Sequence, residues 1–315
     1  MSNAVLFSRG GASKLKDQVV NAVPESGIRM ASALYNMFNE LHGTEYYSDI
    51  DIEKTLLDQR IREVNNIVKP HVPTQYEGMV YFSPSGASKC CRELYYKALK
   101  STKDLQPFYP YHKRWTRNAS AVHEAVQRDL LYAEKILPDA PFKVARTDEG
   151  LPCWEENIKT FKVLEHDGVK FGLYGMSDGI LIHKEDGKKV GFEFKTKSTT
   201  IGAVGNYKMK DASESHKLQC TAYALLFGIY DHIIMYESLA KDGWNKGEDA
   251  KIDFRTFYHK VKDEDVKDLL DKYVYVTKCV ETLDPPPQEL DKCMFCPYKG
   301  ICLGQAQENA EEVVE

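Results

Sequence analysis

The chain has 315 residues, 43% of them hydrophobic and 28% charged, and 42 Lys and Arg against 47 Asp and Glu give a formal net charge of −5. That length holds one large domain or two modest ones, and no apolar run approaches the ~20 residues a membrane-spanning helix needs. The acidic balance argues against a chain that binds polyanions through bulk charge and leaves that role to a local basic groove.

In chain order, residues 1 to about 20 read as poorly ordered, and the opening Met-Ser-Asn-Ala-Val-Leu-Phe-Ser-Arg lacks the apolar stretch of a secretory signal. Two helical patterns fill residues 27 to 68: Met30, Leu34, Met37 and Leu41 form one stripe, and Leu56, Leu57, Ile61, Val64 and Val68 another. Pro70 and Pro73 close this helical extension, residues 1–78, which carries no chemical motif. Ser83, Ser85, Gly86 and Ser88 then supply capping material for a helix after Cys90 and Cys91. Lys113, Arg114 and Arg117 precede a helix whose apolar face is Ala121, Val122, Ala125, Val126 and Leu130, with His123 on its polar margin. The three cations suit either phosphate contacts or a solvated helix start.

Strand patterns run from about 161 to 195. Asp178 lies in one half of a predicted hairpin and Glu193-x-Lys195 in the other, with a turn at Glu185-Asp-Gly-Lys188. Glu193 and Lys195, two apart on a strand, share a face. A polar loop with four lysines follows, from Lys195 to Lys210, and is suited to a clamp or to plain surface. Next come a helix carrying Gln219 and Tyr223 on one face, strand-like runs at about 232–239 and 252–258, and a long amphipathic helix at about 263–282 that ends at Pro285-Pro-Pro287. The acidic tail, residues 305–315, reads as frayed. No internal repeat and no phosphate-binding G-x-x-x-x-G-K-[ST] loop is present, so the chain carries no ATPase of that type.

Two carboxylates and a lysine on one concave face are what metal-assisted phosphodiester cleavage requires: the acids hold a divalent ion and the ammonium offsets charge at the attacking water or the phosphate. Of eight cysteines, Cys293, Cys296 and Cys302 form a C-x2-C-x5-C array, for which an upstream thiol, Cys90 or its neighbour Cys91, is the candidate fourth member. Four thiolates suit a [4Fe–4S] cluster or a tetrahedral Zn2+. The one-plus-three split favours iron–sulphur, and Cys153, Cys220 and Cys279 read as ordinary thiols.

The ordered set His123, Asp178, Glu193-x-Lys195, Gln219-x-x-x-Tyr223 and the split cysteines, spanning about residues 80 to 303, resembles the PD-(D/E)xK nuclease superfamily. It is most similar to its RecB- and Cas4-like branch, which includes the iron–sulphur nucleases of AddB and Dna2 type. Ala119 and Ser120 stand where that branch often has glycine before its histidine.

The resemblance implies an α/β fold with a restriction-endonuclease-like core, a central mixed sheet flanked by helices, in residues 79–304. It implies a Mg2+- or Mn2+-dependent DNA exonuclease, acting on single-stranded ends in recombination, replication, or CRISPR or phage DNA processing. By the same resemblance His123, Asp178, Glu193 and the Phe194 carbonyl bind the divalent ion. Lys195 stabilises charge, Gln219 and Tyr223 position the site, and Cys90, Cys293, Cys296 and Cys302 hold the cluster. Implied partners are DNA together with a helicase, a recombinase, a CRISPR protein or a second copy, in a bacterial or phage-infected cytoplasm. The rival reading is a non-catalytic DNA-binding or assembly module on a nuclease fold.

Overall fold

The computed structural model describes residues 24–45, 48–69, 72–105, 107 and 109–304. The N-terminal stretch expected to be poorly ordered and the acidic tail lie outside the described residues.

The first helix, α1 (Glu25–His42), buries the predicted stripe: Met30, Leu34, Met37 and Leu41 are each 4% exposed or less. Burying such side chains contributes roughly 1.5–3 kcal/mol apiece. The second, α2 (Ile50–Asn66), is capped by Asp49, whose carboxylate accepts from the N–H groups of Asp51 and Ile52. Its expected apolar stripe is largely turned to solvent, with Leu57, Ile61, Val64 and Val68 exposed, whereas Ile52 and the polar Gln59 are buried. Side-chain hydrogen bonds dock this helix: Gln59 accepts from the Trp154 indole, and Asn66 donates to Glu156 at 3.2 Å.

Three more helices and eight strands complete the part that positions the site. The helices are α3 (Cys91–Ala98), α4 (Pro110–Ile136) and α5 (Glu214–Phe227). The strands are β1 (Tyr81–Phe82), β2 (Phe142–Val144), β3 (Thr160–His166), β4 (Val169–Gly175), β5 (Gly179–His183), β6 (Lys189–Lys197), β7 (Asp231–Ser238) and β8 (Phe254–Lys260). A long helix, α6 (Asp263–Thr282), and a short one, α7 (Lys299–Leu303), follow.

The strands form two sheets where the sequence predicted one. The larger is mixed, in the order β2-β5-β6-β7-β8, with β6 and β7 parallel and the other pairs antiparallel. The smaller has the order β1-β4-β3. β4 pairs with β1 and β3 because Gly172 admits close neighbours: a Cβ there would lie 2.4 Å from the Phe161 ring and 2.9 Å from Tyr81. The chain therefore leaves the small sheet at Gly175 and enters the large one at Gly179, and Asp178 sits on that crossing.

Side chains alternate across the large sheet as strand geometry requires. Phe192, Phe194, Ile233 and Met235 pack with α1 and α4, while Ile234 and Tyr236 pack with Cys220 and Ala224 of α5. Gly27 lets α1 lie directly on β8, since a Cβ there would meet the Tyr258 ring at 2.3 Å. The N-terminal helix thus covers a face of the sheet and shares its core. A second core joins α3, α5 and α6 to the small sheet, with Phe82 stacked on Tyr273 at 4.1 Å. No helix among the described residues is long and apolar enough to cross a membrane.

Candidate metal centre

Register creates the site. The β5–β6 ladder begins at Gly179 opposite Phe192, yet β6 continues to Lys197, paired beyond that point only with β7. The next inward N–H on this side of β6, that of Phe194, donates instead to Asp178 Oδ2 at 2.8 Å. The carboxylate is thereby fixed where two sheets part.

His123 reaches the same point from α4. Its Nε2 lies 3.4 Å from Asp178 Oδ1 and 3.6 Å from Glu155 Oε1, and its ring centroid is 5.8 Å from that of Phe194. One turn along, Gln127 donates to the Asp178 carbonyl at 3.1 Å and ties α4 to the crossing. Ligand atoms of His123, Glu155 and Asp178 lie within 4.8 Å of one another. Among the described residues only one other such trio exists: His166, Asp167 and Asp271.

Glu155 is the acid that sequence reasoning missed. It opens a single turn of 3-10 helix, Glu155–Asn157, with φ 45°, and its N–H donates to Ser177 O at 2.9 Å. The preceding Trp154 is fully buried with its indole bonded to Gln59 of α2. Nothing in an irregular segment 23 residues before Asp178 marks Glu155 by periodicity.

Glu193 and Lys195 point to the opposite face, towards α5, and the Lys195 ammonium bonds the Glu193 carboxylate directly. Glu193 is fully buried, and beyond that contact neither of its oxygens accepts a hydrogen bond of regular geometry among the described residues. It stands outside the trio of closely spaced ligand atoms among the described residues, to which Glu155 is added. Gln219 donates to the Tyr223 hydroxyl at 2.7 Å, and Tyr223 lies within reach of the Glu193 carboxylate. His216, also missed, bonds the Tyr236 hydroxyl through Nδ1 at 2.7 Å. Burial and the nearby Lys195 and Lys197 push its pKa down to about 4, so it stays neutral.

Electrostatics mark an incomplete charge set. Burial and the Asp178 charge push the Glu155 carboxyl up to about 7. Burial and the same aspartate raise Glu193. Burial opposes ionisation of Asp178 too, but His123, Lys195 and the Phe194 N–H hold it below the usual carboxylate range. Against its own burial, His123 is raised by Asp178, Glu155 and Glu193. Three acids converge, one is ionised at the expense of the others, and a cation is the natural complement. A cleft of about 510 Å3, lined by Glu63, Ser120, His123, Glu155, Phe194 and Lys195, leads to them.

Cys279, Cys296 and Cys302 belong to the small-sheet core, with Cys91 packed against it. Cys90 caps α3, its Sγ accepting from Glu93 N–H at 3.3 Å. Backbone contacts join its neighbourhood to the C-terminal segment: Asp104 N–H donates to Pro297 O at 2.8 Å, Gly300 N–H to Asp104 Oδ2 at 2.8 Å, and Cys91 N–H to Glu289 Oε1 at 3.2 Å. Burial first, then Glu93, Cys90 and Cys293, raise the Cys296 thiol to about 11. Burial raises Cys302 and Cys91 too, with Cys293 acting on the first and Lys272 lowering the second. All eight cysteines are free thiols.

No family model and no curated protein matches the chain. Among solved structures, SSO0001 is similar at 17% identity and a TM-score of 0.41, over 81% of this chain and 97% of that one. The alkaline exonuclease LHK-Exo from Laribacter hongkongensis is similar at 9% identity and a TM-score of 0.40, over 65% and 90%. The same enzyme in complex with dAMP gives 10%, 0.41, 67% and 91%.

Proposed function

We propose that the chain is a divalent-metal-dependent nuclease hydrolysing phosphodiester bonds of DNA, acting as an exonuclease on single-stranded ends, with residues 79–304 built on a restriction-endonuclease-like core. The observation that carries this reading is the convergence of His123, Glu155 and Asp178 within 4.8 Å beside the Glu193–Lys195 pair, at the open end of β6.

The donor set fits Mg2+ or Mn2+: carboxylates with one imidazole, and two buried Glu193 oxygens that lack regular hydrogen bonds. His123, Glu155, Asp178 and Glu193, with the Phe194 carbonyl, would hold the ion. When bound, it supplies a Lewis acid for the phosphate and a water of lowered pKa. The Phe194 N–H orients Asp178 and His123 stands against it, so an ion would displace the proton between His123 and Asp178. Lys195 places its ammonium beside the reacting phosphate and offsets charge that grows there. Gln219 orients the Tyr223 hydroxyl, and Tyr223 orients Glu193.

The four thiols Cys90, Cys293, Cys296 and Cys302 would hold an iron–sulphur cluster, with a tetrahedral zinc ion as the alternative. Its role here is to close the chain ends on each other.

The test is cleavage of single-stranded DNA labelled at its 5′ or 3′ end, with Mg2+ or Mn2+. The expected result is progressive shortening from one end, abolished by EDTA and by Asp178→Ala. Binding without cleavage under every cation, by folded protein, would show a non-catalytic module instead.

A further inference from the structure

The N-terminal half of α4 is largely exposed. Of its 27 residues none before Val126 is buried. Residues 110–121 span about 18 Å at 1.5 Å per residue. None of their side chains is buried, yet the stretch carries large rings: Tyr109, Tyr111 and Trp115 are 50%, 44% and 48% exposed. They are pre-arranged, with Tyr109 stacked on Tyr111 at 5.7 Å and 11°, and Trp115 edge-on to Tyr111 at 5.4 Å.

The charge is as one-sided as the rings are exposed. Between Asp104 and Glu124 there is no acidic residue, whereas Lys113, Arg114 and Arg117 are all present, in a chain of net charge −5. Arg117 donates to the side-chain amide oxygen of Asn118 at 3.2 and 3.3 Å. Tyr111, Trp115, Ala119 and His123 follow at four-residue spacing, so one ridge of α4 runs from the rings to His123. Ala119, Ser120 and His123 of that face line the cleft.

We propose that this exposed half of α4 is a docking platform for single-stranded nucleic acid. Bases stack on Tyr111 and Trp115, phosphates meet Lys113, Arg114 and Arg117, and the strand is delivered to His123. Flat exposed rings beside cations bind unpaired bases, whose π-faces are free; a duplex hides those faces in its own stack. At about 3.4 Å per nucleotide the platform seats roughly five nucleotides. This inference rests on the nuclease reading for the direction of delivery.

The experiment is fluorescence anisotropy of a fluorescein-labelled 15-nucleotide oligo(dT) with the full chain in EDTA, beside hydrolysis of bis(4-nitrophenyl) phosphate with Mn2+. Tyr111→Ala/Trp115→Ala should weaken oligo(dT) binding at least tenfold, with unchanged circular dichroism and unchanged hydrolysis of the small diester. Trp115→Phe should restore most of the affinity. Arg114→Ala/Arg117→Ala should lower the slope of log K against log salt by about 0.7 per cation removed. Wild-type affinity in both double variants, or preference for a duplex of equal length that the double variants leave intact, overturns the platform even where DNA cleavage persists. Ring-dependent oligo(dT) binding by a chain that hydrolyses no diester leaves the platform standing and removes the nuclease reading.

Discussion

Glu155 occupies a left-handed backbone position that a non-glycine residue adopts at a cost of ~1–3 kcal/mol. Its carboxyl is raised by burial and by Asp178 so that it is about half protonated at neutrality. Its folded pKa of about 7 exceeds the ordinary value of 4.5. Its contribution to metal-free stability is therefore fully present below pH 4.5 and is lost as the pH rises through 7, by at most roughly 3 kcal/mol. Thermal melts in EDTA should accordingly show Tm falling between pH 5 and 8, and Glu155→Gln should flatten that fall. A variant melting curve with the wild-type pH dependence would remove Glu155 as its source. Stabilisation by Mn2+ should follow the reverse course and grow over the same range, because the ion must displace that proton. Lys195→Ala should reduce DNA cleavage by about 10²–10³-fold while leaving a folded protein. Full activity in that variant would contradict the role given to the ammonium.

At the scale of elements, the two N-terminal helices have different jobs. α1 is core: Leu34→Ala should cost ~2–5 kcal/mol in chemical denaturation. α2 is a brace, and Gln59→Ala leaves the buried Trp154 indole without its acceptor, at a cost of ~1–3 kcal/mol. Because Trp154 precedes Glu155, that variant should weaken Mn2+ binding more than Leu34→Ala does. Equal Mn2+ affinities, measured calorimetrically in the two variants, would reduce α2 to a covering helix. The sequence made α1 legible, since a sheet-facing helix must show an apolar stripe. It misled on α2, where the same periodicity, Leu57, Ile61, Val64 and Val68, faces solvent and polar Gln59 is buried. Hydrogen-bonded docking leaves no hydrophobic period to read. The β5–β6 hairpin and the shared face of Glu193 and Lys195 were equally legible, because alternation and turn chemistry are local. The separation of β3 and β4 into their own sheet was not: it depends on what packs against Gly172, a contact between distant segments.

For the molecule as a whole, the two ends of the described core meet through the cysteine segments. Asp104 bridges to Pro297 and Gly300, and Lys272 donates to Ala87 O at 2.7 Å. The spacing of the thiols was readable in the sequence, while Glu155 came from the folded arrangement alone. Cys293→Ala should lower iron content and Tm before it lowers activity per folded molecule. Full iron and an unshifted Tm would contradict the staple. The central claim is that one divalent ion sits where α4, the 154–157 turn, the 176–178 crossing and β6 meet. Anomalous scattering from crystals grown with Mn2+ tests it most directly. The account predicts a peak bonded to His123, Glu155, Asp178 and Glu193; a peak confined to His166, Asp167 and Asp271, or none at the cleft, would contradict it.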